Sequence, residues 1–142
     1  VIQTHRHPRT IVASVSSLNS SASAGTSTVY TPDVVGRDCL DLWARGASTF
    51  LEARRRYNPD QFIDVHYEDF VADAPGVVDS IYSRFGMHLD GDVRAAIADS
   101  HEKSKSNERR PVHRYSLDDF GLTESDVDSR FEGYVDEHFA HA

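Results

Sequence analysis

"THRHPRTIVASV", residues 4–15, is the stretch that decides the fold. Val1 to Thr4 reads as a short strand. Pro8 keeps His7 out of the helical region and itself suits a first helical turn. A helix is expected from about Arg9 to Leu18, with Ile11, Val12 and Val15 on one face. A strand that passes through a basic turn into a helix brings free backbone N–H groups and the positive end of a helix dipole beside Arg6. The planar guanidinium of Arg6 can grip a phosphate with two N–H groups at once. Ser14 stands eight residues after Arg6, about two turns into the helix, and adds a hydroxyl if its face turns to the same spot. On spacing alone, a basic loop followed by a helix serine fits equally well.

Outward from this stretch, residues 16–28 ("SSLNSSASAGTST") are serine-rich and read as a loop. Asp33, after Thr31-Pro32, can cap a long helix reaching about Tyr57. Val35, Cys39, Leu42, Trp43, Ala47, Phe50, Leu51 and Tyr57 recur along it at three- and four-residue spacing, an apolar stripe that calls for burial. Arg54, Arg55 and Arg56 fall in its last turn, where they complement the dipole as a solvated helix end.

"NPDQ" (58–61) is a turn by composition, and "FIDVHY" (62–67) follows as a strand. Beyond it come a loop, a helix from about Ala74 to Phe85 ended at Gly86, and a short helix over roughly Asp90 to Ser100. Periodicity stops between His101 and Tyr115, where Lys103, Lys105, Arg109, Arg110 and Arg114 cluster. The last helix starts near Thr123, with Ser125 and Asp126 in its first turn. Val127, Phe131, Tyr134, Val135 and Phe139 form its apolar face. Two strands separated by a long helical stretch should pair in parallel, giving an α/β class. A sheet of two strands is not stable alone, so further strands are expected to belong to the fold.

The chain has 142 residues, long enough for one domain with a core. Its 39% hydrophobic and 27% charged residues argue against overall disorder. A net charge of −8 argues against a general nucleic-acid binder, whereas a small anion responds to its own pocket. The single cysteine, Cys39, excludes an internal disulfide framework and reads as a small buried hydrophobe, which suits a reducing compartment. No apolar run approaches the length of a membrane span, and no signal-peptide layout occurs, so a cytoplasmic location is expected. His101, His113, His138 and His141 lack the spacing of a metal site, and no metal is expected.

Arg6 with "HPR" after it and Ser14 beyond resembles the 3′-phosphate-binding segment of sulfotransferases that use 3′-phosphoadenosine 5′-phosphosulfate (PAPS). His7 stands where that family usually has Asp, a departure that bears on turn geometry more than on phosphate contact. "VHYEDFVADAPGVVDSIYSRFGM" is similar to the family's strand, Tyr-Glu-Asp-(Leu/Phe) and following helix; by this match Tyr67 lies beside the adenine, and Glu68 and Asp69 cap the loop and helix after it. "HRYSLDDFGLTESDVDSRFEGYVDEHF" is similar to the C-terminal segment of a bacterial, often actinobacterial, branch. By that match Arg110, His113 and Arg114 approach the nucleotide, although the Arg-Lys-Gly motif of animal cytosolic members is absent.

The resemblance implies a P-loop-NTPase-like sulfotransferase fold, of which residues 1–142 form the helix-rich C-terminal part of a single domain with few parallel strands. It implies sulfuryl transfer from PAPS to an alcohol or amine acceptor, a small molecule, lipid or glycan, with adenosine 3′,5′-bisphosphate as product. The family's 5′-phosphosulfate loop has no counterpart here: neither G-x-x-x-x-G-K-[ST] nor a "PRSGT"-like segment occurs. The chain is therefore expected to be N-terminally incomplete and to carry the 3′-phosphate and adenine side of the donor site, with no catalytic residue of its own. His5 and His7 flank the phosphate arginine on the side away from the sulfuryl group and are not assigned as bases. Exposed apolar surface, and association with itself or with a missing N-terminal part, follow from that expectation. Two other readings remain at this point: a non-catalytic helical interaction module docking through the Val35–Tyr57 helix, and a fragment of a P-loop kinase-like nucleotide-binding protein.

Overall fold

The computed structural model describes residues 1–106 and 115–140. It divides into two compact units, one from Val1–Arg6 with Asn58–Val112 and the other from His7–Tyr57 with His113–Ala142.

In the first unit, strands β1 (Ile2–His5) and β2 (Ile63–His66) pair in parallel. Ile2 pairs with Ile63, Thr4 with Val65 and His5 with His66. Asn58 starts a 3-10 turn over Pro59–Gln61 by accepting the Asp60 N–H on Oδ1 at 2.9 Å, and this turn feeds β2. The strand runs without a break into α3 (Tyr67–Ala72), where a loop was expected from the sequence. Asp73 leaves the helical region at φ −146° and caps α4 (Ala74–Arg84), its Oδ1 accepting the Gly76 N–H at 3.0 Å. The capping role expected of Glu68 and Asp69 thus belongs to Asp73; those two acids sit in the first turn of α3, complementing its dipole. A Cβ at 76 would meet Asp73 Oδ2 at 2.1 Å, so a larger residue there would displace the capping carboxylate. Helix α5 (Gly91–Ser106) runs six residues past the expected end. Among the described residues, Phe62, Val65, Ala74 and Leu89 are the buried apolar residues of this unit.

The second unit packs α1 (Pro8–Ser23), α2 (Pro32–Arg54) and α6 (Glu124–His138) around Val12, Ala13, Leu40, Ala44, Leu117, Leu122, Val127 and Phe131. Helix α1 continues through the serine run to Ser23, well beyond Leu18. The serine hydroxyl at 23 turns back onto the Asn19 carbonyl at 2.9 Å, and the Asn19 amide donates to Cys39 Sγ at 3.2 Å. Asn19 and Ser23 thus find intrahelical and interhelical partners, whereas the buried Ser16 hydroxyl has none among the described residues. Cys39 is buried, as expected of a small hydrophobe.

Helix α2 departs from expectation at both its start and its face. Thr31 is the residue before the first turn, and its hydroxyl donates to Asp33 Oδ1 instead of capping a backbone N–H. Val35, Gly36, Cys39, Leu40, Ala44 and Leu51 face inward. Leu42 (59% exposed) and Trp43 (47%), with Phe50 and Tyr57, are exposed in this structure. The helix carries apolar residues round more than half of its circumference, so periodicity marks two candidate faces and packing selects one. Gly36 permits the close approach of a 3-10 turn over Asp118–Phe120; a Cβ at 36 would stand 2.4 Å from the Phe120 carbonyl oxygen. Helix α6 begins where expected, on a reciprocal cap. The Asp126 N–H donates to Thr123 Oγ1 at 3.2 Å, and the Thr123 N–H donates to Asp126 Oδ2 at 2.8 Å. No described helix is long and apolar enough to cross a membrane.

Candidate functional site

Because His5 and His66 are register partners at the carboxyl ends of parallel strands, the residues that follow them leave the sheet side by side. Those residues are Arg6 and Tyr67. In α/β folds ligands bind outside the carboxyl ends of the strands, which makes this corner the candidate site. Arg6 Cζ lies 4.2 Å from the centroid of the Tyr67 ring, a cation–π contact that covers one face of the guanidinium. Among the described residues no carboxylate pairs with Arg6. Its in-plane N–H groups therefore keep their capacity for an anion while the ring holds the plane in place. Tyr67 is 43% exposed, so much of its ring remains open.

Arg9 serves differently. Its Nε donates to Asp128 Oδ1 at 2.8 Å and its other nitrogens reach Asp128 and Glu124, tying α1 to α6. Hydrogen bonding to Asp128, then the charges of Asp128 and Glu124, hold the Arg9 pKa above its ordinary value, and the same bond holds the Asp128 carboxyl below its own. This arginine is committed to the packing of the second unit.

The start of α1 is more closed than the sequence suggests. His7 Nδ1 accepts the Arg9 N–H at 3.3 Å, and the His7 carbonyl accepts those of Thr10 and Ile11 at 3.0 and 3.3 Å. With Pro8 lacking an N–H, the free donors expected there for an anion are already engaged by His7. The His7 ring also meets Phe139 edge-on at 5.3 Å.

Ser14 lies on α1, half-buried, and belongs to the second unit. Arg110, His113 and Arg114 lie outside the described residues.

Two features of the first unit had no clear signal in the sequence. His5 is 1% exposed, and its Nε2 stands 2.8 Å from Asp64 Oδ1, while its ring stacks on that of His66 at 5.3 Å. Alternation along β2 does put Asp64 and His66 on one face, but pairing to β1 is what brings His5 to them. The second feature is a cleft of about 510 Å³ lined by Asp64, His66, Asp69, Asp73, Val77 and Ser80, among others. Three carboxylates on its wall make it unfavourable for a phosphate, in contrast to the Arg6–Tyr67 corner.

Comparison with known proteins adds the lineage. A family model described as the sulfotransferase family matches residues 1–91. The solved structure of sulfotransferase STF1 from Mycobacterium tuberculosis H37Rv is 40% identical, with a TM-score of 0.79, and the match covers 94% of this chain and 33% of that one. Sulfotransferase STF9 from Mycobacterium avium is 23% identical with a TM-score of 0.81, covering 97% of this chain and 36% of its own, a likeness of fold alone. The chain therefore spans about a third of the length of these two proteins. No curated protein matches it. Since the family match takes in both strands, the basic turn with Arg6, the helix with Ser14 and the tyrosine at position 67, the chain belongs to the sulfotransferase family.

Proposed function

We propose that this chain carries the 3′-phosphate and adenine side of the donor site of a PAPS-dependent sulfotransferase with a P-loop-NTPase-like fold. The observation behind the proposal is an arginine at a strand end, stacked on Tyr67 and without an acid partner among the described residues. Arg6 donates to the 3′-phosphate, Tyr67 sits by the adenine, and the Ser14 hydroxyl adds a donor for the phosphate. Arg110, His113 and Arg114 approach the nucleotide from the basic segment that follows α5. The bound donor supplies a sulfuryl group for an alcohol or amine acceptor, a small molecule, lipid or glycan. The residues of this chain bind and orient it; none is assigned to the chemical step. No metal is invoked, because the Arg6 guanidinium supplies the positive charge that faces the phosphate. We place the protein in the cytoplasm of a bacterium.

Calorimetric titration with adenosine 3′,5′-bisphosphate tests this reading. Arg6→Ala should weaken binding by about 1.5–3 kcal/mol, the worth of a hydrogen bond to a charged group. Unchanged affinity in a folded Arg6→Ala variant would overturn the assignment.

A further inference from the structure

His5 and Asp64 take no direct part in the phosphate grip, yet they meet at its base. His5 is buried, and Asp64 is about one-third exposed (34%). A carboxylate only accepts, so His5 Nε2 carries the proton and donates to Asp64 Oδ1 at 2.8 Å. Strand alternation puts His5, Asp64 and His66 on one face of the parallel pair, and Arg6 follows directly as the chain leaves β1. An apolar side chain could fill the space of His5 with no need of a partner, whereas a buried imidazole requires one. What the polar pair adds is direction. It fastens His5, the last residue of β1, to Asp64 on β2, two residues before that strand ends at His66.

We propose that His5 and Asp64 are positioning residues, whose hydrogen bond holds the end of β1 against β2 and so keeps Arg6 seated on Tyr67 before a ligand arrives. Two short strands paired alone are marginal, and their ends are the first part to fray. Without the clasp, Arg6 must be ordered at the moment of binding, and affinity falls by the cost of that ordering. The inference rests on the reading that Arg6 binds a 3′-phosphate.

The test is titration of wild type, Arg6→Ala, His5→Leu, His5→Gln and Asp64→Ala with two probes, adenosine 3′,5′-bisphosphate and adenosine 5′-monophosphate. His5→Leu and Asp64→Ala should weaken the bisphosphate about tenfold and change the monophosphate, which lacks the 3′ group, less than about twofold. His5→Gln should recover most of the loss, because its amide N–H reaches where Nε2 does. Asp64→Ala added to Arg6→Ala should cost nothing further. Bisphosphate affinity unchanged in folded Asp64→Ala, with Arg6→Ala impaired, would overturn the positioning role and leave the phosphate reading intact. Equal weakening of both probes would overturn it too, since that marks general loosening. If Arg6→Ala alone has no effect, the phosphate reading itself falls. Should His5→Leu not fold, Asp64→Ala carries the same comparison at a more exposed side chain.

Discussion

Arg6 and Tyr67 meet face to face, the guanidinium carbon 4.2 Å from the ring centroid, because the residues before them are register partners in a parallel pair. The ring contributes a surface here rather than its hydroxyl. Tyr67→Phe should therefore leave affinity for adenosine 3′,5′-bisphosphate nearly unchanged, whereas Tyr67→Ala should cost about 0.5–1 kcal/mol through the lost cation–π contact alone. Calorimetry on the two variants separates these outcomes, and equal losses would show that the hydroxyl matters more than the ring.

Gly36 and Gly46 occupy the same helix and should respond to alanine with opposite signs. A Cβ at 36 would lie 2.4 Å from the Phe120 carbonyl oxygen and 2.8 Å from its Cβ, so Gly36→Ala is expected to destabilise by about 1–3 kcal/mol. At 46 a Cβ meets nothing within 4 Å, so the change only improves helix propensity and should stabilise by about 1 kcal/mol. Urea midpoints of the pair check both directions.

Acid should loosen the second unit in a defined window. Thr31 and Arg37 hold the Asp33 carboxyl below its ordinary value, the Thr123 side chain and N–H hold that of Asp126, and Arg9 holds that of Asp128. A depressed folded pKa contributes stability that is present above the unfolded value of 3.8 and lost as pH falls through the folded one. Stability is thus expected to decline below 3.8, not between 5 and 8. In Arg9→Gln that decline should be shallower, because Asp128 then titrates nearer its ordinary value. Urea unfolding at a series of pH values down to about 3 measures the slope.

Apolar side chains exposed along α2 and just beyond its end leave surface that another chain can cover. Leu42, Trp43, Phe50 and Tyr57 are all exposed, and the 142-residue chain is expected to associate, with itself or with another chain. Sedimentation velocity should find the isolated chain heavier than 15.9 kDa, and Trp43→Arg should shift it toward that mass. A monodisperse monomer with cooperative unfolding would contradict this.

The sequence revealed best what depends on neighbours along the chain. The cap at Thr123 and Asp126 is a four-residue pattern, and the core face of α6, with Val127 and Phe131, follows directly from helical spacing. The parallel pairing of β1 with β2 was also legible, since a long helical connection leaves few other choices. Decisions made by packing were hidden. Which of two apolar faces of α2 turns inward depends on α1, α6 and the Phe120 carbonyl, none of which is local. The serine run looks like a linker until Asn19 and Ser23 find carbonyl and sulfur partners. Arg6 was legible as a cation at a strand end, but its seat on Tyr67 required the register, and the His5–Asp64 pair required both strands.

That pair joins residues 59 positions apart in the chain. During synthesis the basic turn leaves the ribosome long before β2 exists, and until then Arg6 has neither seat nor clasp. The proposed donor grip thus becomes competent only once residues through Tyr67 have emerged and closed against β1, a non-local and comparatively slow event. Ligand capture by this corner would report completion of long-range pairing, and a nascent chain stalled before β2 should ignore the nucleotide.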